Sequence, residues 1–201
     1  MKKTPRSYSV LTIISCIALL IAGIIRFYQG DMELFLIALL AAALIVGVRL
    51  CAFVPVVLRL GIVLFIIAAM LFGKVCNVYA VIFGYDKILH FLSGLLLALF
   101  GYFLFNRLGG NPKTHLRLAL WFSFLFASGA AGVWEIYEFT VDALLGMHSQ
   151  PDLTDTMWDI IMGNVSGLLG SLFLFIHINK RPFTLLMPLE QKNDHKNALK
   201  K

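Results

Sequence analysis

Six stretches of this chain are apolar on all sides and long enough to approach a membrane's thickness, which constrains the fold class before any single residue is weighed. They run from Val10 to Ile25, Leu34 to Val48, Val56 to Phe72, Ile88 to Phe105, Leu116 to Tyr137 and Met157 to Ile178. A hydrocarbon core about 30 Å thick takes roughly 20 residues of helix. The second stretch is short, but its ends can extend to Met32 and Leu50. A helix without a polar stripe is buried in lipid or in other helices, and its backbone must then satisfy its own hydrogen bonds. A mean hydropathy of +0.86 with only 14% charged residues excludes an ordinary soluble domain. The expectation is an all-α, polytopic membrane helix bundle with about six transmembrane helices.

Orientation follows from the basic residues. Of the 17 Lys and Arg, 14 fall before the first span, around the second-to-third and fourth-to-fifth connections, or after the sixth span. The opposite side keeps Arg26, Lys74 and Lys87 and holds nine of the eleven acids. The positive-inside rule therefore places the N and C termini in the cytoplasm. The implied location is a bacterial cytoplasmic (inner) membrane, crossed several times. The formal charge of +6 is thus a topology signal, and no nucleic-acid partner is expected.

No repeat of clear period and no Ser/Pro/Gly linker divides the chain. Residues 1–179 are read as a single integral membrane domain and 180–201 as a basic cytoplasmic tail. Within the domain, residues 1–80 are aliphatic scaffold and residues 81–179 carry nearly all the polar chemistry. Lys2, Lys3 and Arg6 resemble the start of a signal peptide, but no small-x-small cleavage site follows, so the first helix is expected to be retained. Ile13-Ile14-Ser15-Cys16 has the look of a lipidation box, yet the apolar stretch runs on to Ile25, and Cys16 reads as a small packed thiol. Cys51 and Cys76 are expected on opposite sides, so no disulfide framework is implied.

The chemistry-bearing residues gather at the acidic side with helical spacing. Asp86 and His90 are four apart, and residues four apart share a helix face. Glu135, Glu138 and Asp142 are spaced three and four, as are Asp152, Asp155 and Asp159. Ser93 and Gly94 continue the first face, and the run from Ala127 to Gly132, with Gly163, Gly167 and Gly170, suits close helix packing. These seven carboxylates have few cations nearby, essentially Lys87 and His90. Like charges within about 4–6 Å disfavour joint ionisation, so such acids hold protons or a cation. Carboxylates with a histidine suit Mg, Mn, Zn or Fe according to geometry, and a carboxylate pair equally suits acid–base work.

Simpler roles account for part of the set. Acids at the membrane boundary can reach water at modest cost. Asp152 follows Pro151 in a loop, and Asp155 or Thr154 can cap the sixth helix. Trp134, Tyr137 and Trp158 fit an interfacial aromatic belt. His115 and His177 lie near the cytoplasmic side and read as structural residues, whereas His148 sits in the outer loop as a potential extra ligand. The candidates kept are Asp86, His90, Glu135, Glu138 and Asp159 as catalytic residues, with His90, Glu135, Glu138 and Asp159 as ligands of a divalent metal (Mg, Mn or Zn).

Three segments carry a family resemblance. Tyr85-Asp86-Lys87-Ile88-Leu89-His90-Phe91, Trp134-Glu135-Ile136-Tyr137-Glu138-Phe139 and Asp155-Thr156-Met157-Trp158-Asp159 with Gly163 and Gly167 resemble the YjdF type of bacterial inner-membrane protein. That resemblance covers most of the chain and implies a small polytopic protein without an assigned activity. The Asp-Lys-x-x-His-Phe start and the Asp159, Asn164, Gly167 stretch are more distantly similar to VanZ-like proteins, which are linked to glycopeptide resistance. Here Ser149-Gln150-Pro151-Asp152 replaces the usual Arg-containing loop and the Asp-to-Asn spacing is one residue longer, so no resistance role carries over.

There is no His-Glu-x-x-His motif and no Gly-rich Lys-Ser/Thr phosphate loop. Gly163-Asn164-Val165-Ser166-Gly167 lies inside a span and reads as a packing face rather than a nucleophile site. Two functions of different class follow, beside a non-catalytic structural role. One is a metal-dependent enzyme with an extracytoplasmic carboxylate/His site acting on a lipid or cell-envelope substrate. The other is a transporter or ion-binding protein, against which stand midplanes that offer little beyond Ser128 and Ser166. Partners beyond the lipid bilayer, and the oligomeric state, leave no mark in the sequence.

Overall fold

The computed structural model describes residues 5–146, 149–180, 182–184 and 186–190. They form helices α1 (Arg6–Tyr28), α2 (Met32–Leu50), α3 (Val56–Ile66, continued in π-helical winding over Ile67–Val75), α4 (Val78–Val81), α5 (Tyr85–Arg107), α6 (Leu116–Leu145) and α7 (Leu153–Asn179), with a short 3-10 turn at Met187–Glu190. No strand occurs among the described residues. Six helices are long and apolar enough to cross a membrane, α3 and its π-helical continuation counting as one. In each span only 17–39% of the most apolar window is buried within the protein. The remaining Leu, Ile, Val and Phe side chains face outward in numbers that water would not tolerate and lipid would.

The helix ends follow local chemistry. Pro5 and Pro55 stand immediately before α1 and α3, where a missing N–H costs nothing. Asp31 caps α2 by accepting the Leu34 N–H at 3.0 Å. Asp152 caps α7 by accepting the Asp155 N–H at 2.8 Å. The cap is therefore Asp152 rather than Asp155 or Thr154, because only the residue before the first turn has its carboxylate in reach of the free N–H groups. Gly146 ends α6 at φ +66°, a conformation that suits glycine.

The chain divides into two compact units, Met1–Leu89 and His90–Lys201, with the division falling inside α5. In the first unit, Tyr8, Leu19, Ala41, Ala42, Ile45, Val63 and Ile66 make the core. A Cβ at Gly23 would stand 2.9 Å from that of Ala38, so α1 and α2 touch nearly backbone to backbone. Arg26 donates through Nε and Nη2 to the Val75 carbonyl at the end of the π-helical segment, and the Tyr85 hydroxyl donates to the Ala68 carbonyl at 2.8 Å.

In the second unit, small residues let three helices meet closely. A Cβ at Gly94 would collide with Ser166 Oγ and the Gly163 carbonyl. One at Gly163 would lie 3.0 Å from Ala131 Cβ, one at Gly167 3.0 Å from Ala127 Cβ and one at Gly170 2.8 Å from Ala98 Cβ. The small run on α6 divides in two. Ala127 and Ala131 meet α7, whereas Gly129 and Gly132 face open space. A spacing of four keeps the two alanines on one face, and Gly129 and Gly132 fall off it. Ser123, Ser166 and Ser171 are buried, and their hydroxyls donate to the carbonyls of Ala119, Gly163 and Leu120. A valine at Gly94 should destabilise the protein by about 1–3 kcal/mol or more, as overpacking of a tight core does. Thermal unfolding in detergent micelles would show a clear drop in Tm for Gly94→Val and an unchanged or slightly raised Tm for Gly129→Ala.

Candidate functional site: a histidine between two carboxylates

Two of these contacts, Gly94 against Gly163 and Gly163 against Ala131, lie one helical turn from ionisable residues. His90 is four residues before Gly94 on α5, Asp159 four before Gly163 on α7, and Glu135 four after Ala131 on the oppositely running α6. One turn is about 5.4 Å. The contacts that close the helices therefore bring these three side chains to one level. His90 Nδ1 lies 3.8 Å from Glu135 Oε1, and His90 Nε2 lies 3.7 Å from Asp159 Oδ1. The side chains are 11%, 5% and 2% exposed for His90, Glu135 and Asp159, so water screens this pairing little. Each ring nitrogen faces one carboxylate.

The other candidates take different places. Asp86 is on the first turn of α5, where its negative charge suits the helix N-terminus, with Lys87 Nζ at 3.5 Å. One of its oxygens comes within 4.8 Å of a His90 ring nitrogen, as side chains one turn apart do. Glu138 lies three residues beyond Glu135 on α6 and is half-buried. Asp155 is in the first turn of α7 and Asp152 is its cap. Trp134, Tyr137 and Trp158 are exposed, as belt aromatics would be. His148 lies outside the described residues.

Gln150 belongs to this group although sequence reasoning gave it no role. Its Nε2 donates to the Glu135 carbonyl at 3.0 Å and to Glu135 Oε2 at 2.9 Å. The loop that carries it is held by Asp142, whose carboxylate accepts the Ser149 N–H at 2.8 and 3.0 Å and the Gln150 N–H at 2.9 Å. Asp142 thus holds the Ser149 and Gln150 backbone, and Gln150 tethers Glu135, whose other carboxylate oxygen stands 3.8 Å from His90 Nδ1. The only sequence signal was the closeness of Asp142 to a short loop, and an amide seven or eight residues away has no periodic link to an acid.

His177 also proves to be partnered. It is buried at the far end of α7, where Nδ1 accepts the Phe183 N–H at 2.8 Å. That bond fixes Nε2 as the donor to Glu190 Oε1 at 3.1 Å, and the Tyr102 hydroxyl donates to the same oxygen at 2.9 Å. This cluster anchors the segment after α7 to α5 and α7, which makes it an architectural contact.

Hydrogen bonds to a charged acceptor contribute about 1.5–3 kcal/mol each, so removing the Asp142 carboxylate should speed amide exchange at Ser149 and Gln150 by about 10- to 100-fold. Hydrogen-exchange measurements on Asp142→Ala should show that increase there, with α5 unchanged.

Comparison with known proteins places the chain without assigning it an activity. A stretch of 90 residues is 34% identical to an uncharacterised protein of Thermotoga maritima, covering 44% of this chain and 46% of that protein. The chain thus matches about half the length of that relative. No solved structure matches. Residues 8–180 match the family described as Predicted membrane protein (DUF2238), and the chain belongs to that family.

Proposed function

We propose that this multi-pass membrane protein uses His90, Glu135 and Asp159 as a carboxylate–histidine centre that holds a divalent cation and acts on a lipid or cell-envelope substrate. The observation that carries the reading is the imidazole flanked on both nitrogens by buried carboxylates. A carboxylate on Nδ1 is the arrangement that orients a ligating histidine and raises its basicity. Glu135, itself steadied by Gln150, stands 3.8 Å from Nδ1 as the group to take that role when a cation is bound, which leaves Nε2 and Asp159 to face the cation together. One nitrogen with carboxylate oxygens suits Zn or Mn, and further oxygen donors such as Asp86 and Glu138 would favour Mg. A cation held here would supply Lewis acidity or an activated water. The chain's own residues orient it and keep the site dry.

In this reading the centre lies on the extracytoplasmic side of a bacterial inner membrane, at the depth of lipid headgroups, and the positive-inside distribution supports that address. The YjdF-type assignment is compatible with that address and rests on the three motif segments. A transport route is less favoured. Along α7 below Asp159 the buried positions are Gly163, Ser166, Gly167, Gly170, Ser171, Leu174 and His177; both serine hydroxyls are committed to backbone carbonyls, and His177 is committed to Phe183 and Glu190. A polar path through the midplane would need groups that are not so engaged.

Metal analysis of the purified protein after equilibration with Zn or Mn tests the reading. Wild type should retain metal, His90→Ala and Asp159→Asn should lose it, and Glu135→Gln should weaken its affinity about 10- to 100-fold, as loss of an orienting carboxylate does. Equal and negligible metal in wild type and variants would sink the cation centre. Cation flux in proteoliposomes that is abolished by Asp159→Asn would instead favour transport.

A further inference from the structure

The first unit contains a second polar cluster, at the side where α1 begins, α2 ends and α3 begins. Its members are Tyr8, Arg49 and Arg59. Arg59 is 5% exposed, an unusual depth for a guanidinium, which stays charged at any ordinary pH. Arg59 Nη1 donates to the Arg49 carbonyl at 3.1 Å, and its guanidinium carbon stands 5.2 Å from the centre of the Tyr8 ring. Arg49 Nη1 donates to the Ser9 carbonyl at 3.2 Å and to Thr12 Oγ1 at 2.7 Å. All of these acceptors are neutral. Among the described residues neither arginine has a carboxylate partner. The acids of this unit are Asp31, Glu33 and Asp86, which belong to the opposite ends of the helices.

Two buried atoms are left over at this point. Arg59 Nε and the Tyr8 hydroxyl are both buried and have no hydrogen-bond partner among the described residues. Tyr8 itself is 3% exposed. A buried charge is costly unless it is paired, and a buried unmade hydrogen bond costs more than an exposed one. Arg59 Nε and the phenol beside it leave an incomplete donor set at the corner shared with the half-buried Arg49 guanidinium. What would complete it is an oxyanion with several acceptor oxygens. Arginine's planar fork matches phosphate and carboxylate geometry, and phosphate is the oxyanion supplied at the membrane boundary.

We propose that Arg49, Arg59 and Tyr8 form an anion site that takes the phosphate group of an anionic phospholipid at the basic face of the membrane. The position fits, because basic residues between helices near this boundary recognise lipid headgroups. The outward-facing apolar surface of α1 and α2, including Ile13, Ile17 and Val46, lies beyond the cluster to receive acyl chains. This site is independent of the His90 centre, and neither depends on the other being correct.

The test is native mass spectrometry of the full chain in detergent, titrated with phosphatidylglycerol and with phosphatidylcholine. At about 1 kcal/mol per arginine, phosphatidylglycerol should bind roughly thirty-fold more tightly than phosphatidylcholine. Arg49→Gln and Arg59→Gln should each lose about fivefold of that preference. Arg107→Gln, an exposed arginine on the same expected side, should lose none. Arg49 is half-buried, so Arg49→Gln carries the test should Arg59→Gln fail to fold. Bound phosphatidylglycerol that survives millimolar inorganic phosphate identifies the lipid as the source. Displacement by inorganic phosphate identifies the free anion instead and still upholds an arginine-dependent site. Equal binding of the two lipids, or an equal loss in Arg107→Gln, would overturn the proposal.

Discussion

The close approach of α5 to α7 at Gly94 is the contact on which the polar centre depends. No side chain larger than hydrogen fits at Gly94 without striking Ser166 and the Gly163 backbone. Gly163 in turn receives Ala131 from α6. In lipid, apolar side chains gain little by leaving their solvent, so helices hold together by shape and by interhelical polar contacts. Small residues supply the shape. Because His90, Glu135 and Asp159 each lie one turn from such a contact, packing and polar geometry are one arrangement, and a change in the first moves the second.

Much of this was legible in the residues. The six spans followed from uninterrupted apolar runs, which a bilayer demands and few other environments allow. The helix ends were less legible. α6 runs to Leu145, past Tyr137, because acids spaced three and four apart continue a helix as readily as they end one. The π-helical winding over Ile67–Val75 and the short α4 carry no distinct pattern in an aliphatic run. The spacing of His90, Glu135 and Asp159 showed which face each belonged to, but only packed helices show that these faces meet. Gln150 had no periodicity to betray it, since it is delivered by a loop that Asp142 holds.

The polar chemistry is unevenly divided. Carboxylates and His90 gather at one set of helix ends in α5–α7, and Arg49 and Arg59, with no carboxylate partner among the described residues, gather where α2 ends and α3 begins. A charge bias read as topology accounts for basic residues in alternate connections of the sequence. It does not explain why Arg59 is buried or why its Nε has no acceptor among the described residues. Membership of the DUF2238 family and the likeness to an uncharacterised Thermotoga maritima protein give the chain a lineage. Its chemistry has to be read from the side chains themselves.

The central claim is that tight helix packing holds His90 with Glu135 on one nitrogen and Asp159 on the other. The most direct measurement is the 15N spectrum of the His90 imidazole in lipid bilayers, recorded for the wild type and for Glu135→Gln, Asp159→Asn and Gly94→Val. The account predicts that Glu135→Gln moves chiefly the Nδ1 resonance, that Asp159→Asn moves chiefly Nε2, and that Gly94→Val disturbs both while leaving both carboxylates in the chain. Resonances of His90 that stay the same in all three variants would contradict it.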